Sequence, residues 1–233
     1  MTDLSAIPSV SFTEPDTIRL ISTAYIKEPA LGPLADSDAD RAILEDLESR
    51  TSARQAGIMP LPPGLRRNEL RTESDGFGWT YINAAFCYTR PTGNRFNGAE
   101  RGAWYAAWGS YASETAQAEV IWHLTRELDA VGIYENITAY RELLSGFTSQ
   151  MHDLTGLPEI PCLNSDPAIA YPAGQALALS LRQEANSNGI LYPSARHPEG
   201  RCLVALRPSV IQNIRQGSTR TFTWTGDRVP EVT

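Results

Sequence analysis

Apolar positions along the chain change period several times, and each change predicts an element. DSDADRAILEDLESRTSARQAG (36 to 57) carries Ile43, Leu44 and Leu47 on one stripe, with Ser37 or Asp38 placed to cap it, and predicts a helix. MPLPPGLRR (59 to 67) then breaks it with three prolines and a glycine. Residues 1 to 30 are polar and proline-punctuated and read as an arm. GWTYINAAFCYT (78 to 89), rich in aromatic and β-branched residues, predicts a strand, and AWYAAW (103 to 108) a second. ETAQAEVIWHLTRELDAVG predicts a helix capped by Ser113 and stopped by Gly132, with Val120, Ile121, Leu124 and Leu128 as its buried stripe. ENITAYREL (135 to 143) reads as strand. GQALALSLRQEANSNG (174 to 189) reads as a glycine-terminated helix with Leu177, Ala178 and Leu181 on one face. GILYPS (189 to 194), RCLVALR (201 to 207) and TRTFTWTG (219 to 226) complete the short strands.

Helices and strands are interspersed without strict βαβ alternation. That pattern predicts an α+β fold, with a mixed or antiparallel sheet and flanking helices. The proline break divides the chain into an N-terminal extension, 1–75, and a main domain, 76–233. The aromatic residues of 78 to 88 suit a buried strand and a homo-oligomer face equally.

Composition narrows the function. The net charge is -7, from 20 basic and 27 acidic residues. Such a chain is a poor match for a phosphate backbone, which is bound by basic patches, but a few arginines can still hold a small anion. No window approaches a membrane span, and the N-terminus has neither the basic start nor the apolar run of a signal peptide. Cys87, Cys162 and Cys202 are odd in number and widely spaced, which predicts buried thiols and a cytoplasmic location. They do not cluster with His123, His152 or His197, so no zinc site is expected.

GNRFNGAERGAWYAAW (93 to 108) brings a charge to the start of an aromatic run. Arg95 stands between Gly93 and Gly98 with Asn94 and Asn97 beside it, in a sequence that turns tightly and can approach a ligand. An ordinary turn fits this stretch equally. Tyr105 points opposite to Trp104 and Ala106 on its strand; core packing is the plain reading for all three aromatics, Trp104, Tyr105 and Trp108. Glu119 lies against an apolar stripe, either at the border of an amphipathic helix or facing a cleft. His123, one turn on, reads as structural. The strand Ile190-Leu191-Tyr192 ends in Pro193-Ser194 before Arg196 and His197. Ser194 lacks a GxSxG frame and His197 an orienting acid, which argues against a hydrolase triad. There is no GxGxxG and no Walker sequence.

Together these blocks resemble the RES-domain family, the toxins of bacterial Xre–RES toxin–antitoxin pairs, named for Arg, Glu and Ser. The matching blocks are Gly93-Asn94-Arg95-Phe96-Asn97, Trp104-Tyr105-Ala106-Ala107, Ala116-Gln117-Ala118-Glu119-Val120 and Gly189-Ile190-Leu191-Tyr192-Pro193-Ser194-Ala195-Arg196. The turn departs from the family's more usual Gly-Arg-Trp-Asn, and Arg90 is the nearest candidate for a further arginine found upstream in the family.

The resemblance implies an ADP-ribosyltransferase-like fold and cleavage of NAD+ between nicotinamide and ribose, with NAD+ as consumed substrate and not as redox cofactor. It implies that Arg95 grips a phosphate and Tyr105 packs against the nicotinamide or its ribose. Glu119 would hold the ribose hydroxyls and stabilise the developing positive charge, and Ser194 would position the ribose or amide. Asn97, Tyr192 and Arg196 are expected beside them as substrate-binding residues. Water, inorganic phosphate or a protein side chain could accept the ADP-ribosyl group, and an Xre-like helix-turn-helix antitoxin is the implied partner.

Overall fold

The computed structural model describes residues 4–23 and 61–233. The helix expected over 36 to 57 lies outside them. The elements that matter here are strands β1 (Ser9–Ser22), β2 (Trp104–Trp108), β3 (Glu135–Asp153), β4 (Gly189–Pro193), β5 (Arg201–Ala205), β6 (Gln212–Thr225) and β7 (Glu231–Val232), and helices α1 (Trp79–Cys87), α2 (Ala112–Val131) and α3 (Pro167–Gln183). The strands form one sheet in the order β1-β2-β5-β4-β3-β6-β7. Only β3 and β4 run parallel, over His152↔Ile190 and Asp153↔Leu191. This is the expected α+β class with a mixed sheet. β1 also pairs with β3, so β1, β2, β5, β4 and β3 close into a ring.

The segment read as an arm therefore holds a sheet strand. β1 pairs with β3 from Ser9↔His152 to Ser22↔Tyr140, with an irregularity between Glu14 and Thr17 that accommodates Pro15. Its partner lies more than a hundred residues away, which is why local composition hid it. Phe12, Leu65 and Leu70 enter the same core cluster as Phe86, Trp104 and Leu143. The buried Arg101 holds the Gly64 carbonyl at 3.0 Å and the Glu69 carboxylate at 2.8 Å. The described parts of 1–75 are thus packed into the body of the fold.

The stretch expected as a strand over 78 to 89 is helix α1. Ile82, Asn83, Phe86 and Cys87 are its buried residues, spaced for one helical face. β4 and β5 are covered on both sides, which explains their unbroken apolar runs. Leu191, Leu203 and Ala205 face α1 and Trp104. Ile190, Tyr192, Cys202 and Val204 face Leu177, Ala178 and Leu181 of α3. α3 starts earlier than expected, with Asp166 as its cap accepting from the Ala168 N–H at 2.9 Å. It ends at Gln183 without a glycine.

α2 ends at Gly132 in the left-handed region, φ 73°, as its sequence predicts. Its cap is Tyr111, and the Ser113 hydroxyl instead donates to Glu142 at 3.2 Å. Its buried residues are Ala112, Thr115 and Ala116, with Ala112 and Ala116 packed against Ala107. Val120, Ile121, Leu124 and Leu128 are only half-buried. The small side chains let the start of α2 lie close on the sheet, while the remainder of the helix is more open to solvent. All three cysteines are buried, and none is in a disulfide among the described residues. Among the described residues no helix is long and apolar enough to cross a membrane.

Candidate active site

The loop before β2 is built around a glycine and two asparagines. Gly93 has φ 64°, and a Cβ there would stand 2.1 Å from the Asn97 carbonyl oxygen. Asn94 N–H donates to that carbonyl at 2.7 Å. The Asn97 side chain spends its amide inside the loop, donating to the Gly98 and Arg101 carbonyls at 3.1 Å each. Its Oδ1 accepts from the Tyr105 hydroxyl at 2.8 Å and from Asn94 Nδ2 at 3.2 Å. The Tyr105 hydroxyl in turn accepts from Phe96 N–H at 2.9 Å. Burial raises the Tyr105 pKa, so this phenol stays protonated and keeps donating.

This framework delivers Arg95. Its guanidinium is nearly buried, and Nη1 donates to the carbonyls of Cys162 at 2.6 Å and Asn164 at 2.9 Å. Those carbonyls belong to the turn that leads into α3. α3 lies directly on the Arg95 backbone, where a Cβ at Gly174 would stand 2.2 Å from the Arg95 carbonyl oxygen. Gln175 Nε2 fastens the same contact, donating to Thr92 O at 3.0 Å and Asn94 O at 2.9 Å.

From the other side, Glu119 of α2 meets the end of β4. Glu119 Oε1 accepts from the Ser194 hydroxyl at 2.6 Å. Ser194 Oγ itself accepts from Arg196 N–H at 3.0 Å and His197 N–H at 3.1 Å. The single hydroxyl proton is thereby committed to the carboxylate, and one carboxylate oxygen is held in a fixed place. Arg196 Nη2 donates to Ser165 O at 2.9 Å, on the same turn that holds Arg95. The four residues Arg95, Glu119, Ser194 and Arg196 thus converge through the 162–165 turn and the end of β4.

Asn97 and Tyr192, expected to touch substrate, lie beneath this surface. Tyr192 is buried with its ring edge-on to Phe96 at 4.8 Å, and Asn97 is buried with its amide used. Arg90, the candidate for an upstream arginine, is exposed and paired with Glu127 at 3.6 Å. Arg19 of β1 packs on β2: it donates from Nη1 to the Tyr105 carbonyl at 3.1 Å and lies over the Trp104 ring at 4.9 Å. Burial lowers its pKa to about 10, which leaves it charged at neutral pH. Nothing local in TIRLIS marks this contact.

Two further aromatics belong here. Trp122 follows Glu119 by three residues and His123 by four, on one helix face. Arg196 stacks over Trp122 with its central carbon 3.5 Å from the ring centre. Tyr171 of α3 feels Arg95, Arg126, Arg196 and Glu119, with burial the leading cause of its raised pKa. The site is cationic: burial first, then Arg90, Arg126, Arg196 and Arg95, lower the His123 pKa to about 4. His123 is neutral at physiological pH.

The RES domain family model matches residues 70–225. The chain belongs to the RES-domain family. The match takes in β2, α2, α3 and β4 together with the loop before β2, while β1 lies upstream of it. Among solved structures, the chain is similar to one in the crystal structure of the M. tuberculosis MbcT–MbcA toxin–antitoxin complex, at 16% identity and a TM-score of 0.43, over 92% of this chain and 87% of that one. No curated protein matches it. Arg95, Glu119 and Ser194 come from a loop, a helix and a strand end, and the fold brings Glu119 and Ser194 into direct contact.

Proposed function

We propose that this RES-domain protein is the toxin of a toxin–antitoxin pair and cleaves NAD+ at the nicotinamide–ribose bond. The observation that carries the reading is the Ser194–Glu119 hydrogen bond of 2.6 Å beside a cluster of arginines. A carboxylate held by one oxygen keeps the other available for the substrate. Departure of nicotinamide, taking the electron pair of the bond, leaves an oxocarbenium-like ribose. Glu119 stabilises that charge and accepts from the ribose hydroxyls. Ser194 acts through Glu119, because its proton and its lone pairs are already engaged. Tyr105 offers a half-buried ring face to the nicotinamide end, and the arginines neutralise the diphosphate. An acceptor oxygen then attacks the anomeric carbon and sheds its proton.

Water or inorganic phosphate is the favoured acceptor, and loss of NAD+ would arrest growth. The expected partner is an Xre-like antitoxin that covers the cleft. Purified protein is incubated with NAD+, with and without phosphate, and free nicotinamide is followed by chromatography. Release by wild type but not by Glu119→Ala supports the reaction, and phosphate dependence names the acceptor. Labelled ADP-ribose appearing on a protein instead points to a transferase. No release by either route refutes the reading.

A further inference from the structure

The resemblance assigns the phosphate grip to Arg95, but the geometry favours a different division of labour. Arg95 is 8% exposed and two of its donors serve the Cys162 and Asn164 carbonyls. It pins the α3 entry turn to the loop before β2. The cations open to a ligand stand over Trp122 of α2. Arg126 follows Glu119 by seven residues, two helical turns on the same face, and is exposed. Its guanidinium stands over the Trp122 ring at 4.6 Å, and Arg196 over the same ring at 3.5 Å. Two guanidinium groups share one indole, beside Glu119 and the Tyr171 hydroxyl.

We propose that Arg126 and Arg196, seated on Trp122, form the anion grip for the diphosphate of the dinucleotide, with Arg95 as the pin beneath it.

The proposal deepens the reading of the site given above and rests on it. Two like charges on one ring repel unless an anion joins them, and a diphosphate presents oxygens to two planar forks at once. The Trp122 ring offsets part of the repulsion through its electron-rich face and fixes both side chains in place. Among the described residues Arg126 forms no salt bridge, and Asp129, the acid three residues on, is already held by Arg228 at 2.7 and 3.0 Å. Arg196 is tied at Nη2 to Ser165 O, and its Nε is buried without a partner. Glu119 is the nearby carboxylate and is engaged by Ser194. The spacing along α2 then orders the substrate. The ribose sits at Glu119, and the diphosphate extends along the helix toward Arg126.

Calorimetry with inorganic pyrophosphate and with ADP tests the grip apart from turnover. Wild type, Arg126→Gln, Arg126→Lys and, as a control, Arg66→Gln are compared, with circular dichroism to establish folding. Arg126 and Arg66 are both exposed, so these variants fold. Arg126→Gln is expected to weaken both ligands on the order of tenfold, as for loss of one charge-assisted hydrogen bond, and to raise KM for NAD+ similarly with kcat held within about twofold. Arg126→Lys falls between, and Arg66→Gln matches wild type. Affinity unchanged in Arg126→Gln overturns the proposal. So does turnover of NAD+ by a wild type that binds neither ligand. Arg126-dependent binding of ADP without any NAD+ cleavage upholds the grip and refutes the reaction instead.

Discussion

Replacing Tyr105 by Phe separates a structural from a substrate-facing role for its hydroxyl. The hydroxyl donates to Asn97 Oδ1 at 2.8 Å and accepts from Phe96 N–H at 2.9 Å. Phe96 is 1% exposed, so water does not reach its N–H when the oxygen is removed. An orphaned buried donor costs about 1–3 kcal/mol, and the second lost bond adds about 1 kcal/mol. Asn97 Oδ1 retains Asn94 Nδ2 at 3.2 Å, which softens the loss. The total is about 2–3 kcal/mol, a fall in Tm of roughly 5–10 °C for a chain of this size. Urea unfolding measures it directly, with an unchanged m-value showing that the denatured state is not the cause. Since the same hydroxyl holds the loop that carries Arg95, activity falls with stability. A stability within about 0.5 kcal/mol of wild type, well under the lost-bond value, together with a raised KM, would refute the pin and make the hydroxyl a substrate contact.

Gly174→Ala improves helix propensity by about 1 kcal/mol, yet its Cβ meets the Arg95 carbonyl oxygen at 2.2 Å. The backbone must retreat and strain the Gln175 bonds, so the variant is expected to lose about 1–3 kcal/mol in urea unfolding; a stabilised variant contradicts the close packing. His123 has a native pKa lowered to about 4, so below the unfolded value near 6.5 the unfolded chain binds a proton that the native one refuses. Stability is fully present above that range and is lost as pH falls toward 4, by up to about 3 kcal/mol. Unfolding at pH 7 and 4.5 compares wild type with His123→Gln; equal pH dependence in the two sinks this account.

The candidate site was legible where function fixes residue type at short spacing. Arg95 in a glycine-flanked turn, Glu119 on an alanine-rich helix start and Ser194 at a strand end could be read one by one. α1 was misread as a strand because Trp79, Tyr81, Ile82 and Phe86 have high strand propensity. The helical spacing of Ile82, Phe86 and Cys87 was present, but only burial against Trp104 and Leu203 decides in its favour. β1 offered no local signal, since a strand broken by Pro15 and Asp16 acquires its identity from β3. Tyr171 was hidden for the same reason: it reaches the site from an element far off in sequence.

The chain by itself determined the α+β class, most of the strands and the glycine stop of α2. Those depend on local propensity, glycine conformation and side-chain chemistry, which short stretches carry. Tertiary structure alone decided that β1 closes the ring, that Asn97 and Tyr192 are buried, and that Arg95 is pinned while Arg126 is exposed on the Trp122 ring. Partners in those contacts are brought together by folding, and which donors are left over for a ligand is known only once the protein has taken its own.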